Sequence, residues 1–198
     1  MGILDNLEAY MDSQHDIVDT LTGSDGIPVA IHFSNCINET ESIISALDGN
    51  NWTKDLDQGG DLIGSFTSIS EGNPDYAKIH KAMINAAEIF LTKTERDISD
   101  YYQRFNFFKI VKWESVSRSM GEHADAWEVD GEKIVPDLSL VMYLSGDFEG
   151  GNITFSELDK KIKPSAGDII VFNSTTMHGV DKYLGGRRIT TQLFLFKK

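Results

Sequence analysis

The period of the hydrophobic pattern changes near Phe105, and this change limits the folds that the chain can adopt. Before Phe105, apolar residues recur every three or four positions, as on amphipathic helices, whereas after it they alternate with polar residues, as on half-buried strands. Gly, Pro and Asp residues divide the alternating part into short segments. The strands predicted there are Phe107–Trp113, Leu138–Leu144, Asn152–Phe155, Lys160–Lys163, Asp168–Asn173 and Arg188–Phe196. Helices followed by many short strands predict an α+β fold whose strands form a sandwich, jelly roll or barrel.

The first half of the chain is predicted to support this β-rich part. Apolar residues at helical spacing over residues 3–21 predict one or two short surface helices. A strand is predicted over Ile27–Phe33 and a weaker one over Leu62–Ile69. We therefore predict one domain, 1–198, with three parts: a helical extension (1–26), a strand with supporting helices (27–104) and a jelly-roll core that holds a metal site (105–198).

Two longer helices have recognisable start signals. Asn38 followed by Glu41 has the spacing of a capping box and predicts a helix that begins there. Asn73-Pro74 combines a favoured N-cap residue with proline in the first turn. The helical pattern that follows runs as far as Tyr102, either as one helix or as two with a joint near Thr92–Thr94.

Composition restricts the partners and the compartment of the protein. The chain has 198 residues and a formal net charge of −13, so it lacks the basic surface needed to bind nucleic acid or an anionic membrane. It has one cysteine, Cys36, which excludes an internal disulfide and suits a reducing compartment. No basic segment followed by a long apolar run marks a signal peptide. These features predict a cytoplasmic protein and leave the oligomeric state open.

Two histidines and one aspartate form a candidate metal site. His123 and Asp125 are two residues apart, so on an extended strand their side chains leave the same face. His178, which follows the predicted strand Asp168–Asn173, offers a third ligand. Two imidazoles and one carboxylate on one side of a metal leave its other positions open, which is the ligand set of non-haem Fe(II) oxygenases. The other histidines are predicted to have no metal role: His15, His32 and His80.

Several segments resemble the catalytic domain of prolyl 4-hydroxylases. Tyr143–Phe155 is similar to their Tyr-Leu-Asn…Gly-Gly…Thr-x-Phe segment, and Pro164–Phe172 to their Pro-x-x-Gly-x-x-x-x-Phe strand. His178-Gly-Val, with Arg188 ten residues after the histidine, resembles their second metal-binding histidine and the basic residue that follows it. The early segment Ile31–Trp52 resembles the start of their catalytic domain, so the resemblance covers most of the chain.

The resemblance implies a fold, a set of cofactors and a reaction. The fold would be a double-stranded β-helix of the jelly-roll, cupin-like type with N-terminal helices packed on one sheet. His123, Asp125 and His178 would hold Fe(II), with 2-oxoglutarate as cosubstrate, O2 as oxidant and ascorbate as an optional reductant. Related halogenases have a small residue where this chain has Asp125, so hydroxylation of an unactivated C–H bond is predicted.

The substrate implied by the resemblance is a prolyl residue of a peptide or protein. Polar, glycine-containing loops at residues 55–75 and 126–137 are predicted to hold it. Two alternatives stay open: a hydroxylase of a free amino acid or another small metabolite, and a non-catalytic binding protein of the cupin type.

Four residues are predicted to bind 2-oxoglutarate: Arg188, Tyr143, Thr190 and Trp113. The planar guanidinium of Arg188 matches a carboxylate through two hydrogen bonds. Arg187 competes for this role from the opposite face of the strand, although the spacing from the second histidine favours Arg188.

Two residues depart from the family pattern. Trp113 stands where relatives commonly have a tyrosine, which an indole cannot replace closely, and Met120 stands where longer relatives often have an aromatic residue.

Overall fold

A computed structural model of the protein describes residues 15–56, 62–114, 116–129 and 131–198. The first nine strands are β1 (Asp16–Thr22), β2 (Pro28–Ser34), β3 (Thr53–Leu56), β4 (Leu62–Ser70), β5 (Tyr101–Gln103), β6 (Phe107–Trp113), β7 (Met120–His123), β8 (Trp127–Val129) and β9 (Glu132–Ile134). The later strands are β10 (Leu138–Tyr143), β11 (Phe148–Gly150), β12 (Ile153–Phe155), β13 (Lys160–Ile162), β14 (Ile169–Asn173), β15 (His178–Val180), β16 (Tyr183–Gly186) and β17 (Arg188–Lys197). The helices are α1 (Thr40–Leu47) and α2 (Pro74–Lys93), with 3₁₀ turns at Ile98–Asp100 and Ser156–Leu158.

Two antiparallel sheets face each other across a hydrophobic core. In the described part of the chain, nine strands form the main sheet in the order β1-β2-β14-β10-β17-β6-β4-β3, with β5 paired to β17. The second sheet has four strands in the order β13-β12-β15-β7. Phe172 from the main sheet and Phe155 from the second sheet meet edge to face between them. Because the facing sides of both sheets are apolar, this packing produces a jelly-roll core, and that part of the predicted fold is confirmed.

Helix α2 lies on the opposite face of the main sheet. It contacts β2, β4, β10 and β14 and contributes fully buried side chains such as Ile79, Met83 and Phe90 to a core shared with Phe33 and Leu140. Strands β10 and β14 of the main sheet are therefore packed on both faces. None of the helices that the structure describes is long and apolar enough to cross a bilayer.

The predicted N-terminal helix is wrong over Asp16–Thr22. These residues form β1, which pairs with β2 at the edge of the main sheet and buries Leu21. Four of its seven residues are Ile, Val or Thr, whose branched Cβ atoms favour strands over helices. The helical spacing of the apolar residues was therefore a weaker signal than residue type. The earlier part of this prediction, residues 3–14, lies outside the described residues.

The two helix starts had different outcomes. Asn73 caps α2 as predicted, since its side chain accepts a hydrogen bond from the backbone N–H of Asp75 (2.8 Å). The capping box at Asn38 is wrong, because α1 begins one residue later behind Glu39 and has no side-chain cap.

The helical pattern toward Tyr102 ends early. The hydroxyl of Thr94 donates to the carbonyl oxygen of Phe90 (3.0 Å), and Glu95 has a positive φ of 56°, which ends α2 at Lys93. Tyr102 then lies in β5 and pairs with β17.

Candidate metal centre

The second sheet brings the three predicted metal ligands together. Strands β7 and β15 are antiparallel neighbours, and His123 pairs directly with His178 in their register. Asp125 follows the end of β7, so its carboxylate lies beside both imidazoles. The candidate ligand atoms of these three residues all lie within 4.8 Å of one another. Among the described residues they are the one group of three His, Cys, Asp or Glu side chains close enough to bind a single ion.

Backbone hydrogen bonds set the orientation of both imidazoles. Nδ1 of His123 lies 2.9 Å from the carbonyl oxygen of Gly121, and Nδ1 of His178 lies 3.0 Å from that of Thr176. A carbonyl oxygen only accepts, so each Nδ1 carries the hydrogen and each Nε2 presents a lone pair. The Nε2 atoms of His123 and His178 lie 3.6 Å and 3.7 Å from the carboxylate oxygens of Asp125. This arrangement suits a divalent metal, because metal-bound histidines commonly donate their second nitrogen in this way.

Burial and neighbouring charges set the protonation of the triad. Burial lowers the pKa of His178, which favours the neutral imidazole that a metal needs. Burial raises the pKa of Asp125, but the positive charges that His123 and His178 carry when protonated and the hydrogen bond from Ser139 outweigh it, so the pKa falls overall. The Asp125 carboxylate in turn raises the pKa of the less buried His123. A carboxylate and two imidazoles form a donor set that fits Fe(II), because a metal that binds there displaces any proton on Nε2 of His123.

The other three histidines lie outside the triad and have different partners. Nε2 of His15 lies 2.9 Å from the carbonyl oxygen of Ala82. His32 pairs with the buried carboxylate of Asp168 at 2.7 Å and so links β2 to the start of β14. His80 stacks on Tyr76.

Arg188 lies in an aromatic box beside the triad. Its side chain is 3% exposed, and its guanidinium carbon lies 4.7 Å from the ring centroid of Trp113, 5.3 Å from that of Tyr143 and 5.8 Å from that of Phe148. Its Nε donates to the carbonyl oxygen of Gly151 (2.9 Å), and Nη2 donates to the hydroxyl of Tyr143 (3.5 Å). Nη1 has no hydrogen-bond acceptor in the part of the chain that the structure describes. A fixed cation with spare N–H groups can bind a carboxylate.

Burial keeps the partner of this arginine neutral. It raises the pKa of the Tyr143 hydroxyl, so at neutral pH this group accepts from Arg188 and keeps a proton to donate. Burial lowers the pKa of Arg188, but a guanidinium remains charged at neutral pH.

The two candidate arginines lie in different environments. Arg187 points away from the triad and donates to Glu41 (2.6 Å) and Asp147 (3.3 Å) at the surface. Arg188 instead lines a narrow cavity of about 70 Å³ that the triad also lines. Trp113, Tyr143 and Thr190 line the same cavity, so all four residues predicted to bind 2-oxoglutarate meet there.

Phe148 and Gly151 contribute to this box but were missed in the sequence. Gly151 has a positive φ of 63°, and a Cβ atom there would lie 3.0 Å from Cδ of Arg188. Glycine therefore lets the backbone approach the guanidinium closely. The Gly150-Gly151 pair and the aromatic residue shortly before it were the available signals.

A wider groove of about 610 Å³ adjoins the cavity. Trp113, Met120 and His123 border both, so the triad lies where the groove meets the cavity. Leu56, Ile63 and Ala126 from the two predicted substrate regions also line the groove. Residues 57–61 of the first region lie outside the described residues. Trp127 packs on Phe194 (5.0 Å between ring centroids), which lines the cavity, so Trp127 supports the wall from behind.

Comparison with known proteins agrees with this geometry. Residues 108–196 match the family model of the 2OG-Fe(II) oxygenase superfamily. Prolyl 3-hydroxylase 1 of Rattus norvegicus is 28% identical over 147 residues, which cover 58% of this chain and 20% of the rat protein. A PKHD-type hydroxylase of Prochlorococcus marinus is 38% identical over 80 residues, which cover 38% of this chain and 35% of that protein. The chain therefore spans about a third or less of the length of these curated relatives.

Solved structures extend the likeness to nearly the whole chain. The viral collagen prolyl hydroxylase of Paramecium Bursaria Chlorella virus-1, in complex with 2OG, superposes with a TM-score of 0.66 at 19% identity and covers 89% of this chain and 99% of its own. A Pseudomonas putida prolyl-4-hydroxylase gives a TM-score of 0.60 at 13% identity and covers 85% and 93%. At these identities the superpositions establish the fold alone, whereas the family model covers every predicted site residue. Residues 108–196 of this chain are therefore similar to the 2OG-Fe(II) oxygenase superfamily, and the named relatives and neighbours of the chain include prolyl hydroxylases.

Proposed function

We propose that the protein is an Fe(II)- and 2-oxoglutarate-dependent dioxygenase that hydroxylates a prolyl residue of a peptide or protein. The observation that carries the proposal is one cavity lined on one side by a His-Asp-His triad and on the other by a buried, boxed arginine. When bound, Fe(II) and 2-oxoglutarate supply the oxidising chemistry. One oxygen atom of O2 enters the substrate C–H bond as a hydroxyl, and the other enters succinate as 2-oxoglutarate loses CO2.

The residues of the chain bind, orient and exclude water. His123, Asp125 and His178 would hold the metal on one side and leave its other positions free. Arg188 and the Tyr143 hydroxyl would bind the carboxylate of 2-oxoglutarate far from the metal. Burial of these donors strengthens that contact, because no water competes for it.

Trp113 and Thr190 complete the cosubstrate pocket in this proposal. Trp113 stacks on the guanidinium of Arg188 and so limits its movement. This cation–π contact takes the place of the hydrogen bond that a tyrosine at this position would make. The side chain of Thr190 is buried on the cavity side of β17, where its hydroxyl can meet the same carboxylate.

The prolyl substrate is supported by the named relatives and by the groove. The curated relatives include prolyl 3-hydroxylases, whereas solved structures include a prolyl-4-hydroxylase and a Trichoplax adhaerens prolyl hydroxylase in complex with a peptide fragment. The proposal therefore specifies a prolyl residue and leaves the hydroxylated carbon to experiment. Leu56, Ile63 and Met120 offer apolar surface in the groove for an uncharged ring.

The metal and cosubstrate are tested without oxygen. Adding Fe(II) and then 2-oxoglutarate to the anaerobic protein should produce a metal-to-ligand charge-transfer band in the visible spectrum. His178→Gln should abolish the band, while His80→Gln, a histidine outside the triad, should leave it unchanged. The absence of a band in the unaltered protein would exclude the oxygenase function.

The substrate is tested by succinate release over proline-containing peptides and free proline. Release that depends on a peptide, with a mass gain of one oxygen on a prolyl residue, supports the proposal, and fragmentation with NMR assigns carbon 3 or carbon 4. Turnover of free proline alone would replace the peptide substrate with a small molecule.

A further inference from the structure

Two buried serines connect the carboxylate of Asp125 to the main sheet. The Ser139 hydroxyl on β10 donates to Oδ2 of Asp125 at 2.5 Å. The Ser174 hydroxyl, just after β14, lies 2.7 Å from the Ser139 oxygen. Ser139 is 1% exposed and Ser174 is fully buried, so these contacts form without competition from water.

The direction of the chain of hydrogen bonds follows from proton counting. A serine hydroxyl has one hydrogen, and Ser139 uses it for the Asp125 carboxylate, which can only accept. Ser174 must therefore donate to Ser139. Hydrogen bonds linked in this way polarise one another, so the second bond strengthens the first.

Ser174 also holds the backbone of the same aspartate. Its carbonyl oxygen accepts the N–H of Asp125 at 2.9 Å, and its own N–H donates to the carbonyl oxygen of Asp137 at 3.0 Å. The loop that carries Asp125 is thus joined to the main sheet through both its backbone and its side chain.

We propose that Ser139, oriented by Ser174, is a positioning residue that fixes the Asp125 carboxylate so that it ligates the metal through Oδ1 alone. Oδ1 lies 3.6 Å from Nε2 of His123, and Oδ2 lies 3.7 Å from Nε2 of His178. Because Oδ2 also accepts the hydrogen of Ser139, Oδ1 is the oxygen with its electron pairs free for the metal. No hydroxyl among the described residues donates to Oδ1. Single-oxygen ligation keeps a further position open on the metal, which a carboxylate bound through both oxygens would occupy. This inference rests on the proposed metal function of the triad.

The test measures Co(II) binding to the metal-free protein, without 2-oxoglutarate or substrate, by calorimetry and by visible d–d absorption. Loss of a group that supports a metal ligand typically weakens metal binding by about 10–100-fold, so Ser139→Ala should raise the Co(II) Kd by that factor and change the d–d spectrum. Ser174→Ala should raise the Kd less, because Ser139 keeps its bond to Asp125. The double variant should bind no more weakly than Ser139→Ala, because Ser174 acts through Ser139.

Thr191→Val is the matched control for the loss of a buried hydroxyl. Thr191 is fully buried on β17 and donates to the carbonyl oxygen of Lys109 (3.0 Å), and its side chain does not line the cavity. This variant should lose thermal stability to an extent similar to Ser139→Ala while keeping the Co(II) Kd and spectrum of the unaltered protein.

The outcomes separate this inference from the proposed function. If the unaltered protein does not bind Co(II), the metal centre and this inference both fail. If it binds Co(II) and Ser139→Ala binds within twofold with the same spectrum, only the positioning role is wrong. If Ser139→Ala does not fold, Ser174→Ala provides the test. An unchanged Co(II) Kd in Ser174→Ala overturns the proposed positioning of Asp125 by the two serines.

Discussion

Replacing Arg188 with methionine should weaken 2-oxoglutarate binding strongly while leaving the fold nearly as stable. Methionine has a similar length and can fill the box formed by Trp113, Tyr143 and Phe148. The change removes the one buried cation that lines the cavity among the described residues. The carboxylate of 2-oxoglutarate far from the metal would then lose its hydration without gaining a hydrogen-bond donor in the pocket.

The size of the rise in Kd follows from the burial of Arg188 and of the carboxylate that it would bind. Truncating one partner of a buried, hydrogen-bonded charge pair costs about 2–5 kcal/mol, and about 1.4 kcal/mol corresponds to a tenfold change in affinity. The Kd for 2-oxoglutarate should therefore rise by about 30-fold to several thousand-fold. The free energy of unfolding should change less. The Gly151 carbonyl oxygen loses its hydrogen-bond donor, which costs about 1–3 kcal/mol. This loss is offset because the ligand-free variant no longer buries an unpaired positive charge.

The assay is calorimetric titration of the Mn(II)-loaded protein with 2-oxoglutarate, together with urea unfolding of the metal-free protein. Arg187→Met is the matched control, because its exposed ion pairs with Glu41 and Asp147 are worth about 0–1 kcal/mol each. Its 2-oxoglutarate Kd should stay within twofold. A Kd within threefold for Arg188→Met, or a large rise for Arg187→Met, would refute the assignment of Arg188 as the carboxylate anchor.

Three further predictions concern Asp125, Trp113 and the buried thiol of Cys36. Asp125→Ala should abolish both the anaerobic charge-transfer band and succinate release, and full iron-dependent turnover in this variant would contradict the triad. Trp113→Phe should raise the 2-oxoglutarate Kd by less than about 30-fold, since a cation–π contact with Arg188 is worth about 0.5–2 kcal/mol. An unchanged Kd in Trp113→Ala would exclude a role for the stacking. Burial, helped by the charge of Asp168, raises the pKa of the Cys36 thiol to about 12. Only about one molecule in ten thousand is then a thiolate at pH 8, against about one in ten in the unfolded chain, so alkylation by iodoacetamide should be roughly 1,000-fold slower than in urea, and equal rates would contradict the burial.

Local sequence signals predicted well where one residue type has one structural role. Asn73 caps α2 because its side chain reaches the next free N–H groups whatever the rest of the fold does. The alternating runs after Phe105 became strands because each has one face to bury. Residues 16–22 failed as a helix because their apolar spacing fits more than one period, and pairing with β2 selected the strand.

The sequence by itself determined the chemistry of the site. It contains the two histidines, the aspartate and the arginine in the order and spacing typical of the family, and residue type decides which groups can bind Fe(II) or a carboxylate. Only the tertiary structure decided how they are used. The register of β7 against β15 brings His123 to His178, across a separation of 55 residues that no local pattern spans. The alternation of side chains along β17 directs Arg188 into the aromatic box and leaves Arg187 at the surface. The contact of Ser139 with Asp125 likewise depends on which strands become neighbours, because the energy of a buried hydrogen bond depends on distance in space and not on separation along the chain.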